Sequence, residues 1–112
     1  MEVIKASTRP FMKTGWGVKG KPLVDLPDLG ITNLLLEPGE KVPSHKTPVD
    51  VVFQVLEGQG TITIGQDSQL VEAGDLVISP AQIPHELEAN QGCLFSVYVM
   101  KVPNTKKTAI KE

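Results

Sequence analysis

The 112-residue chain is poor in the residues that most often do chemistry or anchor an interface, with one cysteine, one tryptophan, one tyrosine and two histidines. With Cys93 alone no intramolecular disulfide can form, which fits a reducing compartment. The thiol reads as a small buried hydrophobe in a strand. Positive charge is not in excess: a formal net charge of −2 leaves nothing to attract a phosphate backbone, so nucleic acid is not an expected partner. Long hydrophobic runs are missing too. No segment approaches the roughly 20 apolar residues that cross a bilayer, and "MEVIKASTRP" has no stretch of signal-peptide length. The expectation is a soluble, cytoplasmic protein without a membrane partner.

Helical periodicity is also scarce, because 10 glycines and 9 prolines cut the chain into short pieces. What remains is strand-like: "ITNLLLE" (31–37), "DVVFQVLE" (50–57), "TITIG" (61–65), "QLVEAGD" (69–75), "LVISP" (76–80), "PHELEAN" (84–90) and "CLFSVYVMKV" (93–102). The turn "EGQG" predicts a hairpin joining the second and third of these. Even spacing of short strands argues for an all-β sandwich or barrel. The expected organisation is a single domain over 1–112, with a barrel over about 24–102, an N-terminal arm 1–23 and a polar tail 103–112. Lys106, Lys107 and Lys111 make the tail basic, and a solvated terminus is the plain reading of it.

The distinctive pattern is the order of turns and histidines. Gly39, His45 and "VLEGQG" are followed by "AGDLVISPAQIPH", which places His45 and His85 at the starts of two strands expected to be non-adjacent. Over residues 31–102 this resembles the cupin superfamily, whose first motif is G-x5-H-x-H-x3,4-E-x6-G and whose second is G-x5-P-x-G-x2-H-x3-N. The resemblance implies a jelly-roll, or double-stranded β-helix, barrel. It also implies a divalent transition metal (Zn, Fe, Ni or Mn) held by three histidines and a glutamate, and a homodimer, for which Trp16 is a candidate contact.

Laid on those motifs, the chain keeps His45 and His85 and loses the other two ligands. The second histidine position is Thr47 and the glutamate position is Val51; the glycine and asparagine positions of the second motif are Gln82 and Ala89. A valine cannot donate to a metal and a neutral threonine hydroxyl is a poor ligand for these ions. Asp50 is the one nearby carboxylate that would complete a two-histidine, one-carboxylate triad. Alternation along a strand opposes it, since Asp50 faces away if residue 51 faces in, unless a bulge re-aims it.

Two readings of the histidines therefore stay open: a partial metal site at His45 and His85, with Asp50 as the third ligand, or a metal-free pocket with no cofactor. By alternation Phe53, Val55, Leu87 and Ala89 face inward, so the expected pocket is His45, Thr47, Val51, Phe53 and His85, with a small molecule as ligand. Three functions follow from these readings: a metal-dependent reaction such as dioxygenation or isomerisation, a binding or sensing module for a small anion or sugar-like molecule, or a dimerisation domain. Glu86 and Glu88 fall on the opposite strand face from His85 and read as solvated carboxylates. No flanked serine nucleophile of the G-x-S-x-G kind is present, and "GQG" by itself is not a phosphate loop.

Overall fold

The computed structural model describes residues 1–105, so the basic residues of the tail lie outside the described part. After a short 3-10 turn at Ala6–Thr8 the regular elements of the described residues are all strands: β1 Met12–Lys13, β2 Lys19–Leu26, β3 Leu29–Leu36, β4 Lys41–His45, β5 Asp50–Ile64, β6 Asp67–Glu72, β7 Leu76–Ser79, β8 His85–Ala89 and β9 Phe95–Val102. Every pairing is antiparallel, in the order β1-β2-β3-β9-β5-β8-β4, with β6 and β7 both on β5. This is the all-β, jelly-roll barrel that the motifs imply. Among the described residues no helix is long and apolar enough to cross a membrane.

The expected hairpin at "EGQG" is instead the middle of one 15-residue strand. β5 pairs with β9 and β7 through its first half and with β8 and β6 through its second, with a bulge between Val55 and Glu57. Beside it, β3 with β4, β6 with β7, and β8 with β9 each run on in the same way across a short break. Hydrogen bonds continue through the breaks, from Gly74 N to Val55 O (2.9 Å), Asn90 N to Gln59 O (3.1 Å) and Ala89 N to Glu40 O (2.9 Å). The result is one long sheet creased along a single line and folded onto itself, so that its two halves face each other.

Gly58 shows why the crease needs glycine. Its φ is +82°, and a Cβ placed there would overlap the Leu94 carbonyl. Gly60 is pressed against the Phe95 ring, which a Cβ would meet at 2.6 Å. The true turn of this region is one step later, at residues 65–66, where Gly65 (φ +63°) leads a two-residue loop between the paired Ile64 and Asp67.

Between the two halves lies a single apolar core. Leu36, Val51, Phe53, Val55, Phe95 and Val97 come from one half, and Val42, Ile62, Leu87 and Ala89 from the other. Each large side chain buried in this way contributes about 1.5–3 kcal/mol. Inward-facing Val55, Leu87 and Ala89 follow the alternation read from the sequence.

Two further expectations need correction. Residues 12–23, read as an arm, are largely sheet: β2 pairs with β3 along its length, and Pro22 is accommodated at a bulge before Val24. The strand is disguised because "KGKPLVDL" carries the residues that usually interrupt one. Only residues 1–11 behave as an arm, held down by Lys21, whose Nζ donates to Ala6 O (2.6 Å) and Arg9 O (3.4 Å) and lies 4.3 Å from the Phe11 ring centre. Cys93, expected in a strand, sits half-buried in the loop before β9, since Gly92 (φ +80°) turns the chain there.

If the crease depends on Gly58, the substitution Gly58→Ala lowers the unfolding free energy by at least ~3 kcal/mol. Gly74→Ala, at φ +98° but with nothing within 4 Å of the added methyl, costs only the backbone strain of about 1–2 kcal/mol. Urea denaturation of both variants checks this, and equal losses would remove the close-approach argument.

Candidate functional site

His45 and His85 meet because β4 is the antiparallel neighbour of β8 and the two residues are cross-strand partners. The expected placement at the starts of two non-adjacent strands is thus corrected: His45 ends β4, a strand that Pro43 conceals in the sequence. Proline is tolerated there because β4 is an edge strand. Inward-facing Val42 would put residue 44, not 45, on the core side by simple alternation. The register shift between Val42 and His45 inserts one residue and turns the imidazole inward.

The rings stand edge to face, 4.4 Å between centres, with Nε2 of one 3.1 Å from Nε2 of the other. His85 is buried, packs edge-on against Phe53 at 5.3 Å, and has its Nδ1 3.0 Å from the Oγ of fully buried Ser79. His45 Nδ1 lies 3.0 Å from the carbonyl of Pro43. A carbonyl can only accept, so His45 carries its proton on Nδ1. With both rings neutral, Nε2 of His45 must then accept from Nε2–H of His85, which leaves Nδ1 of His85 to accept from the Ser79 hydroxyl. One directed chain results, from Ser79 through His85 and His45 to Pro43.

Burial first, and then the charges of His45 and Lys101, push the His85 pKa from 6.5 down to about 4. Lys101 is itself buried, at 6 % exposure, and extends the inward row of β9 formed by Phe95, Val97 and Val99.

Phe53 and Thr47 line the same small cavity as the two histidines, a space of about 20 Å³ that holds no more than one water. The Thr47 hydroxyl donates to Val49 O at 3.0 Å, and its carbonyl accepts from Gln82 N at 2.8 Å. Gln82 holds a φ of +69°, the conformation that favours the glycine of the family motif. Val51 does not reach the cavity and is fully buried in the core. Asp50 is exposed, and its Oδ1 accepts from Ala81 N at 2.8 Å on the other side of the strand, as alternation requires.

Trp16 closes the cavity. The loop between β1 and β2 is folded by Thr14, whose hydroxyl donates to Val18 O (2.9 Å) and accepts from Trp16 N (3.3 Å), and the indole lies 4.6 Å from the His45 ring. The ring considered above for a dimer contact therefore packs on its own barrel. Next to this cavity, sharing Thr32, Val99 and Lys101 with it, a larger one of about 240 Å³ opens between β1, β2, β3 and β9. Ser79, Lys101 and this second cavity were not legible as site features from motif matching, although Ser79 and Lys101 fall at inward positions by simple alternation.

A metal does not fit these residues as a resident ion. The 3.1 Å between the imidazole nitrogens is near the about 3.0–3.4 Å expected between two nitrogens on one metal, so distance alone decides nothing. The donor set does: among the described residues no group of three or more His, Cys, Asp or Glu side chains could hold an ion. Two neutral imidazoles would leave a divalent charge uncompensated in a buried site beside Lys101.

Comparison with known proteins agrees with the architecture. The cupin domain family matches residues 33–98. A conserved protein of unknown function from Streptococcus pyogenes, SPY1581, is 32% identical, with 84% of this chain and 81% of that one covered and a TM-score of 0.70. KdgF from Halomonas sp. superposes with a TM-score of 0.87 at 16% identity, covering 96% of this chain and 97% of its own. The polyketide cyclase RemF from Streptomyces resistomycificus does so with a TM-score of 0.79 at 16% identity, covering 93% and 80%; at such identities these two speak for the fold alone. Among curated proteins no relative matches. The family match spans both histidines and the whole crease, and the chain belongs to the cupin superfamily.

Proposed function

We propose that this cupin binds a small molecule at the barrel mouth, over the His45–His85 pair, and that it does so without a resident metal. The observation that carries this reading is the pair itself: its two facing nitrogens satisfy each other across 3.1 Å, and among the described residues no third His, Cys, Asp or Glu side chain joins them as a metal donor. A ligand enters by way of the 240 Å³ cavity, whose wall is mostly apolar, and displaces or moves Trp16 to reach the imidazoles. An apolar recess with a few converging polar groups is the usual form of a small-molecule site.

A second copy of the chain is the partner this reading assigns. Its support is an apolar row on the outer face of the sheet, where Ile78, Val52, Met100 and Ile31 lie side by side across four strands. Ile78 is 70% exposed, and its neighbour Leu76 63%. Removing such a patch from water favours association.

Neutral His85 ties stability to pH. The unfolded chain takes up a proton at this residue below 6.5, whereas the folded chain refuses it until about 4. The contribution to stability is thus fully present above 6.5, falls as pH drops from 6.5 to about 4, and is level below that. Its size is on the order of 3 kcal/mol.

Three measurements follow. Elemental analysis of protein purified without chelator gives far less than one transition metal per chain, and EDTA leaves the melting temperature unchanged; one bound metal per chain would overturn the metal-free reading. In urea titrations the unfolding free energy falls between pH 7 and pH 4 by on the order of 3 kcal/mol more in the wild type than in His85→Asn, and parallel curves would show that His85 is not held neutral. Sedimentation equilibrium returns a dimer for the wild type and a monomer for Ile78→Glu; a wild-type monomer at micromolar concentration removes the partner.

A further inference from the structure

The 240 Å³ cavity and the histidine cavity meet at Thr32, Val99 and Lys101. The charged groups of this wall are already engaged. Lys101 and Asp25 both have interactions within the protein, and Asp25 Oδ1 accepts from Asn104 Nδ2 at 2.7 Å. Lys13, which also lines the larger cavity, is exposed, so water screens its charge. The imidazoles have no N–H to offer either, because all four ring nitrogens of His45 and His85 are taken up between Ser79, each other and Pro43.

Thr32 differs from these. It belongs to an inward row that runs Pro22, Thr32, Val99 and Phe53 across β2, β3, β9 and β5, and it is the polar member of that row. It lines both cavities, and among the described residues its hydroxyl has no hydrogen-bond partner. Since no buried side-chain oxygen among those residues lacks a partner, this hydroxyl is reachable from the space beside it. The Thr14 hydroxyl, by contrast, is committed to Val18 O and Trp16 N, and the Asn104 amide is turned onto Gly30, where a Cβ would overlap its oxygen.

Such a wall selects against charge and against many hydroxyls. An ion entering it would give up its water and find the buried charges already engaged, and an unpaired buried charge is costly. A sugar would bring hydroxyls on every side to Met12, Pro22, Val24, Ile31 and Val99, with little but Thr32 left to bond them. A hydrocarbon body with a single uncharged oxygen meets neither cost. An apolar cavity of ~150 Å³ takes a benzene ring, so 240 Å³ accommodates a six-membered ring with its substituent.

We propose that the ligand of this barrel is a neutral, ring-sized molecule with one uncharged oxygen, an alcohol or a ketone, its hydrocarbon in the β1–β2–β3–β9 cavity and its oxygen on the Thr32 hydroxyl. This rests on the small-molecule reading above and names its ligand class. A threonine hydroxyl both donates and accepts, so it bonds a ketone as donor and an alcohol in either sense. The ligand's oxygen is thereby held at the wall that the histidine cavity shares.

The test uses two matched pairs on the wild type at neutral pH. Cyclohexyl methyl ketone and cyclohexanecarboxylate have the same shape and differ in charge; cyclohexanol and myo-inositol share a six-membered ring and differ in the number of hydroxyls. Binding is read by calorimetry and by the rise in melting temperature. The ketone is expected to bind at least about tenfold more tightly than the carboxylate, because the charge finds no unengaged partner. Cyclohexanol is expected to bind and inositol to leave both signals unchanged. Thr32→Val should weaken the ketone and cyclohexanol by about two- to tenfold, the worth of one hydrogen bond, and the wild-type pairs stand by themselves if that variant fails to fold. A carboxylate that binds as tightly as the ketone, or inositol as tightly as cyclohexanol, overturns the ligand class and leaves the small-molecule site intact. Unchanged affinities in folded Thr32→Val overturn the part assigned to Thr32. If none of the four compounds binds at millimolar concentration, the class and the site fall together.

Discussion

The crease in β5 is the constraint on which the molecule depends. A sheet of long antiparallel strands has no inside until it folds over, and here each long strand path must turn at the same place or the ladders part. Gly58 lets β5 turn where the Leu94 carbonyl leaves no space for a side chain. Folding then brings the half that carries β4 and β8 against the half that carries Phe53 and Phe95. The site is a consequence: His85 belongs to one half, and Phe53 and Ser79, which pack on it and bond to it, belong to the other.

Charge is set by the same closure. Once the halves meet, the imidazole of His85 lies in a space too small for more than one water, and its charged form is disfavoured by burial. Its polar atoms are nevertheless satisfied, and among the described residues no buried side-chain nitrogen or oxygen is left without a partner. A metal would need both imidazole lone pairs and further anionic ligands. The chain has placed a threonine bonded to its own backbone and a core valine at the family positions that would supply the rest.

How much of this was legible in the sequence depends on whether a feature is local. The all-β barrel, the family and the inward parity of Phe53, Val55, Leu87 and Ala89 could be read because they rest on alternation and on glycines at fixed spacing. The outward parity of Asp50 was readable for the same reason. The course of β5 was not, because a glycine pair that permits a crease reads as a hairpin turn; which of the two forms is decided by the neighbouring strands. β2 and β4 were missed because Pro22 and Pro43 lie at a bulge and on an edge, where proline costs little. His45 beside His85 depends on a one-residue bulge, and no composition reports it. Ser79 and Lys101 needed only the alternation from Val77 and Val99 to be carried one step further, but their partners lie on other strands.

Pro43 joins two of these features. Its carbonyl fixes the tautomer of His45, and the residue sits on the open edge of the half-sheet that holds the site. An edge strand exposes a row of backbone groups to which another chain can add, and a residue without an N–H interrupts that row. Any residue at this position would offer His45 the same carbonyl, so the tautomer does not need the proline; what only proline supplies there is the missing N–H, which breaks the row of donors along the edge and guards it against strand-to-strand association.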